Sequence, residues 1–316
     1  MSAPAAAIRV RGLARRFGDL VAVDELDFEV QPGELFGLLG PDGAGKTTTL
    51  RMLAGVLRPT AGDALLGGTS VARQPEAAKN RLAYMSQRFG LYGDLTVREN
   101  LDFYADLYRV PRSERPARLA RLFRFSSLEP FQNRLAGKLS GGMKQKLGLS
   151  CALVHQPEFM FLDEPTFGVD PISRRDLWLI VHEMVAQGVT AVVSTAYMDE
   201  AERFDRVALL HRGRLLAVDT PEALMDGLAG RVLALRTGNL RAAQQAAGRL
   251  AGVRAAAVFG ERLHVILVPD GAGSAQVASA LAPALAAAGI EVLEQAAIAA
   301  SMEDVFIDHV VRGGEA

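Results

Sequence analysis

The chain has 316 residues, 35 Lys and Arg against 36 Asp and Glu for a net charge of −1, and 49% hydrophobic residues with a single cysteine. That length supports a real core and divides most naturally into two domains, while the near-zero charge gives no global sign of a nucleic-acid partner. Cys151, in an apolar helical setting, excludes a disulfide framework, suits a reducing compartment and reads as a packed small apolar residue.

The opening Met1-Ser-Ala-Pro-Ala-Ala-Ala has no basic flank followed by an apolar core, so no signal peptide is expected. Strands are predicted over 8–13 and 23–30, around a turn at Gly18-Asp19, with alternation from Val23 to Val30. The apolar run Leu35–Leu39 leads into Gly40-Pro-Asp-Gly-Ala-Gly-Lys46-Thr47, and a helix is predicted over 46–57. Strand, glycine loop and helix opening on Lys-Thr is the setting in which G-x-x-x-x-G-K-[ST] marks a nucleotide phosphate site. Gly40, Gly43 and Gly45 let the backbone turn tightly and aim N–H groups at the phosphates, with Asp42, Ala44 and Thr48 in the same cradle. Lys46 is expected to reach the β- and γ-phosphates and the Thr47 hydroxyl to complete a Mg²⁺ shell.

Pro59-Thr-Ala-Gly62 reads as a turn and 82–86 as a short strand ending at Gln87, which by itself reads as a surface amide. From Val97 to about Ser150 the pattern is helical, with Ser113 a candidate N-cap. Arg109, Arg112, Arg115, Arg118, Arg121 and Arg124 recur at a spacing that drifts about 60° per step around a helix. They spiral as a solvated face, or alternatively contact anionic lipid or RNA phosphates. Ser140-Gly141-Gly142 opens a helix with small residues, a second anion site in a domain whose first loop already holds the phosphates, which suggests service to a second nucleotide. Phe159–Leu162 is an uninterrupted apolar strand running into Asp163 and Glu164. Asp163 is placed to hold Mg²⁺ through water, and Glu164 to polarise a hydrolytic water. Helix 173–187, strand 189–194, helix 198–203 and strand 206–210 complete an α/β body.

Composition shifts after Thr220, so domains are expected at 1–220, with a helical subdomain at about 90–155, and at 221–316. The tail predicts strand 231–236, helix 240–250, strands 253–259 and 262–268, helix 275–288, strand 290–297 and helix 301–311. Its first six elements run β-α-β-β-α-β, a ferredoxin-like order. Gly271–Ile290, the longest uncharged stretch, is broken by Gly, Ser, Gln and Pro and makes a poor membrane span. A soluble chain is expected.

With Gly168-Val169-Asp170 after the acids, residues 8–220 resemble the ATP-binding subunit family of ABC transporters. The resemblance implies an α/β P-loop NTPase core of ABC ATPase type with a helical subdomain, followed by the small ferredoxin-like α+β C-terminal domain. It implies ATP and Mg²⁺ as cofactors, with Glu164, Lys46 and Gln87 as catalytic groups and Thr47, Gln87 and Asp163 at the metal. Gln87 would also border the groove that receives a membrane subunit. Ser140, Gly141, Gly142 and Asp170 would serve a site shared across a head-to-tail dimer with a second ATP-binding domain. Phe17, a hairpin core residue on the other reading, would stack on adenine. The chain would be cytoplasmic, peripheral at the inner membrane face through an integral membrane permease.

The pattern departs at Ala196, where the family usually carries a histidine near the γ-phosphate, and none of the chain's histidines is an evident substitute. Hydrolysis at this chain's own site is therefore expected to be slow. Tyr197-Met-Asp-Glu-Ala-Glu202 looks like the first ATP-binding half of tandem drug-efflux ATPases, and Ser301-Met-Glu-Asp-Val-Phe306 resembles an exporter ending whose small domain assists dimerisation or regulation. The expected function is to energise an exporter, with a non-transport ATPase acting on ribosomes or nucleic acid, or a regulatory ATP-binding module, as alternatives.

Overall fold

The computed structural model describes residues 5–87, 90–269 and 271–314, without the side chains of 271–275. Met1–Pro4, part of the stretch expected not to be a signal, lies outside the described residues. The chain divides into one unit of Met1–Tyr197 with Phe204–Leu215 and another of Met198–Arg203 with Leu216–Ala316. In this division the second unit takes up the chain from Leu216, and the 3-10 turn Met198–Arg203 sorts with it.

The first unit opens on β1 (Ile8–Phe17) and β2 (Leu20–Val30), an antiparallel hairpin turned at Gly18 with φ +58°. β3 (Leu35–Leu39) and α1 (Lys46–Leu53) bracket the glycine loop. α1 stops short of the predicted Leu57 because Gly55 takes φ +66° and the N–H groups of Val56 and Leu57 both turn back to Arg51 O. Where only a turn was expected at Pro59–Gly62, the chain enters β4 (Ala61–Leu66), which pairs with β1 and with β5 (Thr69–Ser70). Asp63 ties that corner, its Oδ1 accepting from Ala64 N at 2.8 Å and Ala72 N at 3.0 Å. The short α2 (Pro75–Lys79) leads to β6 (Leu82–Met85).

The predicted helical stretch resolves into α3 (Val97–Leu107), α4 (Arg115–Ser126) and α5 (Gly141–Leu153). Thr96 and Glu99 form a reciprocal capping box on α3. Ser113 does not cap α4. Glu114 holds the N-cap position with near-helical dihedrals, and its carboxylate pairs instead with Arg118 one turn on. Much of the arginine run is engaged internally: Arg115 meets Asp106 at 2.6 Å, Arg118 also donates to Val154 O at 3.1 Å, and Arg121 lies 5.2 Å from the Phe125 ring centroid.

β7 (Phe159–Asp163), α6 (Pro171–Ala186), β8 (Thr190–Thr195), β9 (Arg206–His211) and β10 (Arg214–Asp219) follow. The six-stranded sheet runs β10-β9-β3-β8-β7-β6, with β6, β7, β8, β3 and β9 mutually parallel. Every residue of β3, β7 and β8 is buried, the mark of a parallel sheet covered on both faces. Parallel strands discharge at one edge, so the glycine loop, Gln87, Asp163-Glu164 and Ser194–Ala196 all leave the sheet on the same side.

The second unit contains α7 (Pro221–Asp226), β11 (Val232–Thr237), α8 (Leu240–Ala247), β12 (Val253–Phe259), β13 (Arg262–Leu267), α9 (Gly271–Ala287), β14 (Val292–Ile298) and α10 (Met302–Arg312). Its sheet order, β12-β13-β11-β14 with all pairs antiparallel, is the ferredoxin-like arrangement. Leu233, Leu235, Leu263, Val265 and Leu267 point to one face and pack with Ala243, Ala247, Leu281 and Leu285 of α8 and α9. The alternate residues face the other way, where α10 lies. There His264 Nδ1 is 3.0 Å from the fully buried Asp304, and Asp308 meets Arg254 at 3.2 Å, Arg231 at 3.5 Å and Arg312 at 2.5 Å.

Two stability predictions follow from these contacts. Truncating Asp308 leaves the buried Arg231 and the partly buried Arg254 guanidinium without their shared carboxylate. Asp308→Ala is expected to destabilise the second unit by about 3 kcal/mol, read from denaturant unfolding. In the first unit His155 stacks on Tyr108 at 4.1 Å, with Nε2 3.1 Å from Leu82 O and Nδ1 buried without a partner. Burial pushes its pKa down from 6.5, with Arg118 adding to the effect and the Leu82 bond opposing it. The unfolded state therefore binds the proton more readily. His155's contribution is complete above about pH 6.5 and is lost as pH falls below it. His155→Gln should flatten the pH dependence of the unfolding midpoint between about pH 6.5 and 5.

Candidate functional site

Of the loop glycines, Gly43 and Gly45 take φ +79° and +100°, which L side chains rarely adopt. Gly40 does not, and its requirement is a close approach: a Cβ there would lie 2.2 Å from Leu210 O. At the head of α1, Lys46 is only 4% exposed, its Nζ donating to Gly40 O at 2.8 Å and Pro41 O at 3.1 Å. The same ammonium is 3.2 Å from Glu164 Oε1, while Gln87 Nε2 donates to Glu164 Oε2 at 3.2 Å. A lysine and a glutamine from separate segments thus converge on the one carboxylate of Glu164.

The neighbouring acid anchors the strands. Asp163 Oδ1 accepts from Thr47 Oγ1 and from Ser194 Oγ, both at 2.8 Å, and Ser194 Oγ accepts in turn from Glu164 N at 3.0 Å. Tyr84 Oη is 3.4 Å from the other Asp163 oxygen, and burial followed by the Asp163 charge pushes the phenol pKa up. Glu164 itself takes φ +49°, a left-handed conformation costly for a non-glycine residue. It persists because its N–H reaches both Ser194 Oγ and Ser194 O, the latter at 3.2 Å. Ser194 was not singled out in the sequence, where a serine ending an apolar strand carries no distinguishing signal.

A cavity of about 660 Å³ collects Phe17, Leu20, Val21, Ala22, Asp42 through Thr48, Gln87, Glu164, Phe167 and Arg212. It brings together Phe17, Asp42, Gly43, Ala44, Gly45, Lys46, Thr47, Thr48, Gln87 and Glu164 of the predicted set. Gly40 and Asp163 stand behind its wall, bonded to Lys46 and Thr47. Gln87 also borders a second cleft of about 290 Å³ with Leu91, Gly93, Ala136, Gly137, Lys144 and Gln145. Among the described residues no cluster of His, Cys, Asp and Glu offers an all-protein metal site. The hydroxyl, carboxylate and amide oxygens of Thr47, Asp163 and Gln87 do suit a Mg²⁺ whose remaining positions belong to phosphate and water.

Ser140, Gly141, Gly142 and Asp170 lie apart from this cavity. Ser140 Oγ caps α5 by accepting from Met143 N at 3.3 Å, and Asp170 caps α6 by accepting from Ser173 N at 2.9 Å. The Ser173 backbone and then its side chain hold the Asp170 carboxyl below the usual carboxylate range. The two helix starts touch: a Cβ on Gly142 would meet Ser173 Oγ at 2.2 Å and Cβ at 2.3 Å. Glycine is therefore needed there for helix packing as well as for an open N-terminus.

Past β8, Tyr197 N donates to Thr195 Oγ1 at 3.0 Å and the Tyr197 ring lies 4.6 Å under the Arg174 guanidinium. None of the five histidines lines the 660 Å³ cavity.

Residues 23–167 match the family model described as ABC transporter. The chain is 48% identical over 267 residues to the probable multidrug ABC transporter ATP-binding protein YbhF of Escherichia coli (strain K12), covering 83% of this chain but 46% of that relative. It thus spans about half the length of that relative. It is 41% identical over 228 residues to the Nod factor export ATP-binding protein I of Burkholderia lata, covering 72% of this chain and 75% of the relative. Among solved structures, an ATP-binding subunit of an ABC transporter superposes with TM-score 0.64 at 31% identity, over 70% of this chain and 92% of the other. The fold is shared also with CbiO1 of Clostridium perfringens, part of the CbiONQ transporter complex, at TM-score 0.65 and 23% identity over 70% of this chain and 91% of that one. A phosphate loop, two strand-end acids and a capped glycine helix, joined to a relative 41% identical and matched over three quarters of its length, place this chain in the family of ABC transporter ATP-binding proteins.

Proposed function

We propose that the chain binds and hydrolyses ATP to energise a membrane exporter of small molecules, acting from the cytoplasmic face on an integral membrane permease. What carries this reading is the convergence of Lys46 and Gln87 on Glu164, each at 3.2 Å, in the cavity lined by the glycine loop. Lys46 and the loop N–H groups bind the phosphates, with Asp42 and Thr48 beside them, and Phe17 stacks on the base. Glu164 orients the attacking water and takes its proton, and Gln87 holds Glu164 to that task. Thr47, Asp163 and Gln87 would hold Mg²⁺, which supplies charge neutralisation on the β- and γ-phosphates when bound.

Ser140, Gly141, Gly142 and Asp170, apart from the chain's own cavity, serve a second ATP-binding domain facing it head to tail. The cleft beside Gln87, lined by Leu91, Gly137 and Lys144, receives the permease. The names of the relatives, multidrug and Nod factor export, favour export of small molecules. Internal engagement of Arg115, Arg118 and Arg121 disfavours a ribosome- or RNA-binding role for the arginine run.

Ala196 leaves the site without the imidazole that steadies the attacked phosphate and water. A contact of that kind is worth about 3 kcal/mol. Binding and hydrolysis are therefore separable in this chain. Glu164→Gln should remove the residual ATP turnover while leaving MgATP binding within about twofold, and Ala196→His should raise turnover by about tenfold to a hundredfold. Fast wild-type turnover unchanged by Ala196→His would sink the assignment of a slow site. Exporter function is checked by purification in detergent: an integral membrane protein is expected to copurify, and its ATP-dependent coupling to lie in the same fraction. Salt-sensitive sedimentation with ribosomes in place of such a partner would overturn the exporter reading.

A further inference from the structure

Phe17 ends β1, is 45% exposed, and lines the nucleotide cavity alongside Leu20, Val21 and Ala22. The guanidinium carbon of Arg15 lies 4.5 Å from the centroid of the Phe17 ring. The guanidinium is stacked over the ring, and Arg15 is not among the residues lining the cavity. Arg15 therefore covers the face of the ring turned away from it. Its Nη1 donates to Arg58 O at 2.9 Å, while Arg16 N donates to Thr60 Oγ1 at 3.1 Å and Thr60 N to Ala14 O at 2.8 Å. Residues 58–60 follow α1, so these bonds fasten the end of the hairpin to the segment leaving the phosphate-loop helix. Arg15 is half-buried and Nε is buried without a bond partner, so the guanidinium is directed at the ring and not at a carboxylate.

We propose that Arg15 is a positioning residue for the nucleobase, forming the back plate of a three-layer stack of guanidinium, phenyl ring and purine. The proposal rests on the reading that the cavity takes ATP and adds what makes the exposed Phe17 an effective platform. A cation held on one face draws π density towards itself and leaves the other face better suited to an electron-rich purine. The anchor to Arg58 O also fixes the ring plane before the nucleotide arrives, which lowers the ordering cost of binding. The device recognises the base and contributes nothing to the phosphates.

The test is calorimetric titration of the whole chain with MgATP and, separately, with magnesium tripolyphosphate, which shares the phosphates and lacks the base. Wild type, Arg15→Ala, Phe17→Ala and the double variant are compared, with thermal melting to verify folding. Arg15→Lys, which keeps the charge and loses the plane, replaces Arg15→Ala if that variant is unstable. Arg15→Ala is expected to weaken ATP about threefold to fivefold and leave tripolyphosphate unchanged. Phe17→Ala should weaken ATP about tenfold, and adding Arg15→Ala to it should cost nothing more. Equal weakening of both ligands by Arg15→Ala, no weakening of ATP, or full additivity in the double variant would each overturn the proposal. Loss of ATP affinity in Phe17→Ala alone would then leave the ATP-site reading standing. A wild type that binds ATP no better than tripolyphosphate would overturn both.

Discussion

Thr47 Oγ1 and Ser194 Oγ meet on one oxygen of Asp163 at 2.8 Å each, and through that atom the phosphate loop, β7 and β8 are fixed to one another. Asp163 is 1% exposed and Ser194 fully buried, so these bonds form in a low-dielectric interior where an unmade bond is costly. The parallel sheet supplies the geometry, because β7 and β8 run side by side in register from Phe159 with Thr190 to Asp163 with Ser194. Moving either strand by one residue would break the triad and turn every buried side chain of that strand to the other face.

The placement of Glu164 follows from that anchor. Its backbone can hold φ +49° only because Ser194 accepts its N–H from two directions. The strained turn carries the carboxylate back across the sheet edge towards Lys46 and Gln87. Ser194 thus orients both acids, one through its hydroxyl hydrogen and the other through its lone pair. The side chain two positions on, that of Ala196, contributes no polar atom to the same edge.

How legible this was depended on whether a feature lay in local pattern or in long-range contact. The glycine loop, the apolar strand running into Asp163-Glu164 and the β-α-β-β-α-β tail all advertise themselves through spacing and periodicity. Within those patterns the reasons for individual residues were hidden. Gly40 meets Leu210 O and Gly142 meets Ser173, partners 170 and 31 positions away in the chain, which no window of sequence connects. The first two residues of β4, Ala61-Gly62, belong by sequence to the turn predicted at Pro59–Gly62, and pairing to β1 overrides that local preference. Ser113 is the better capping residue by type, yet the helix starts one residue later, with Glu114 at the N-cap position and its carboxylate paired with Arg118 one turn on. Arg15 carries no signal in the sequence, because the pairing of β1 is irregular around it and alternation does not predict its contact with Phe17.

On the proposed reading, the chain divides its chemical work unevenly. Each group that grips a nucleotide is held by another part of the chain: Lys46 by two loop carbonyls, Thr47 by Asp163, and Phe17 by Arg15 behind it. The water-handling side rests on one carboxylate held in a strained backbone, between the Lys46 ammonium and the Gln87 amide at 3.2 Å each. Binding energy realised in the ground state drives closure against a partner, whereas only contacts that tighten in the transition state speed hydrolysis. A site rich in the first kind and sparse in the second suits a subunit whose main output is the closed state, with the rate of reopening set by what its partner adds to the shared edge.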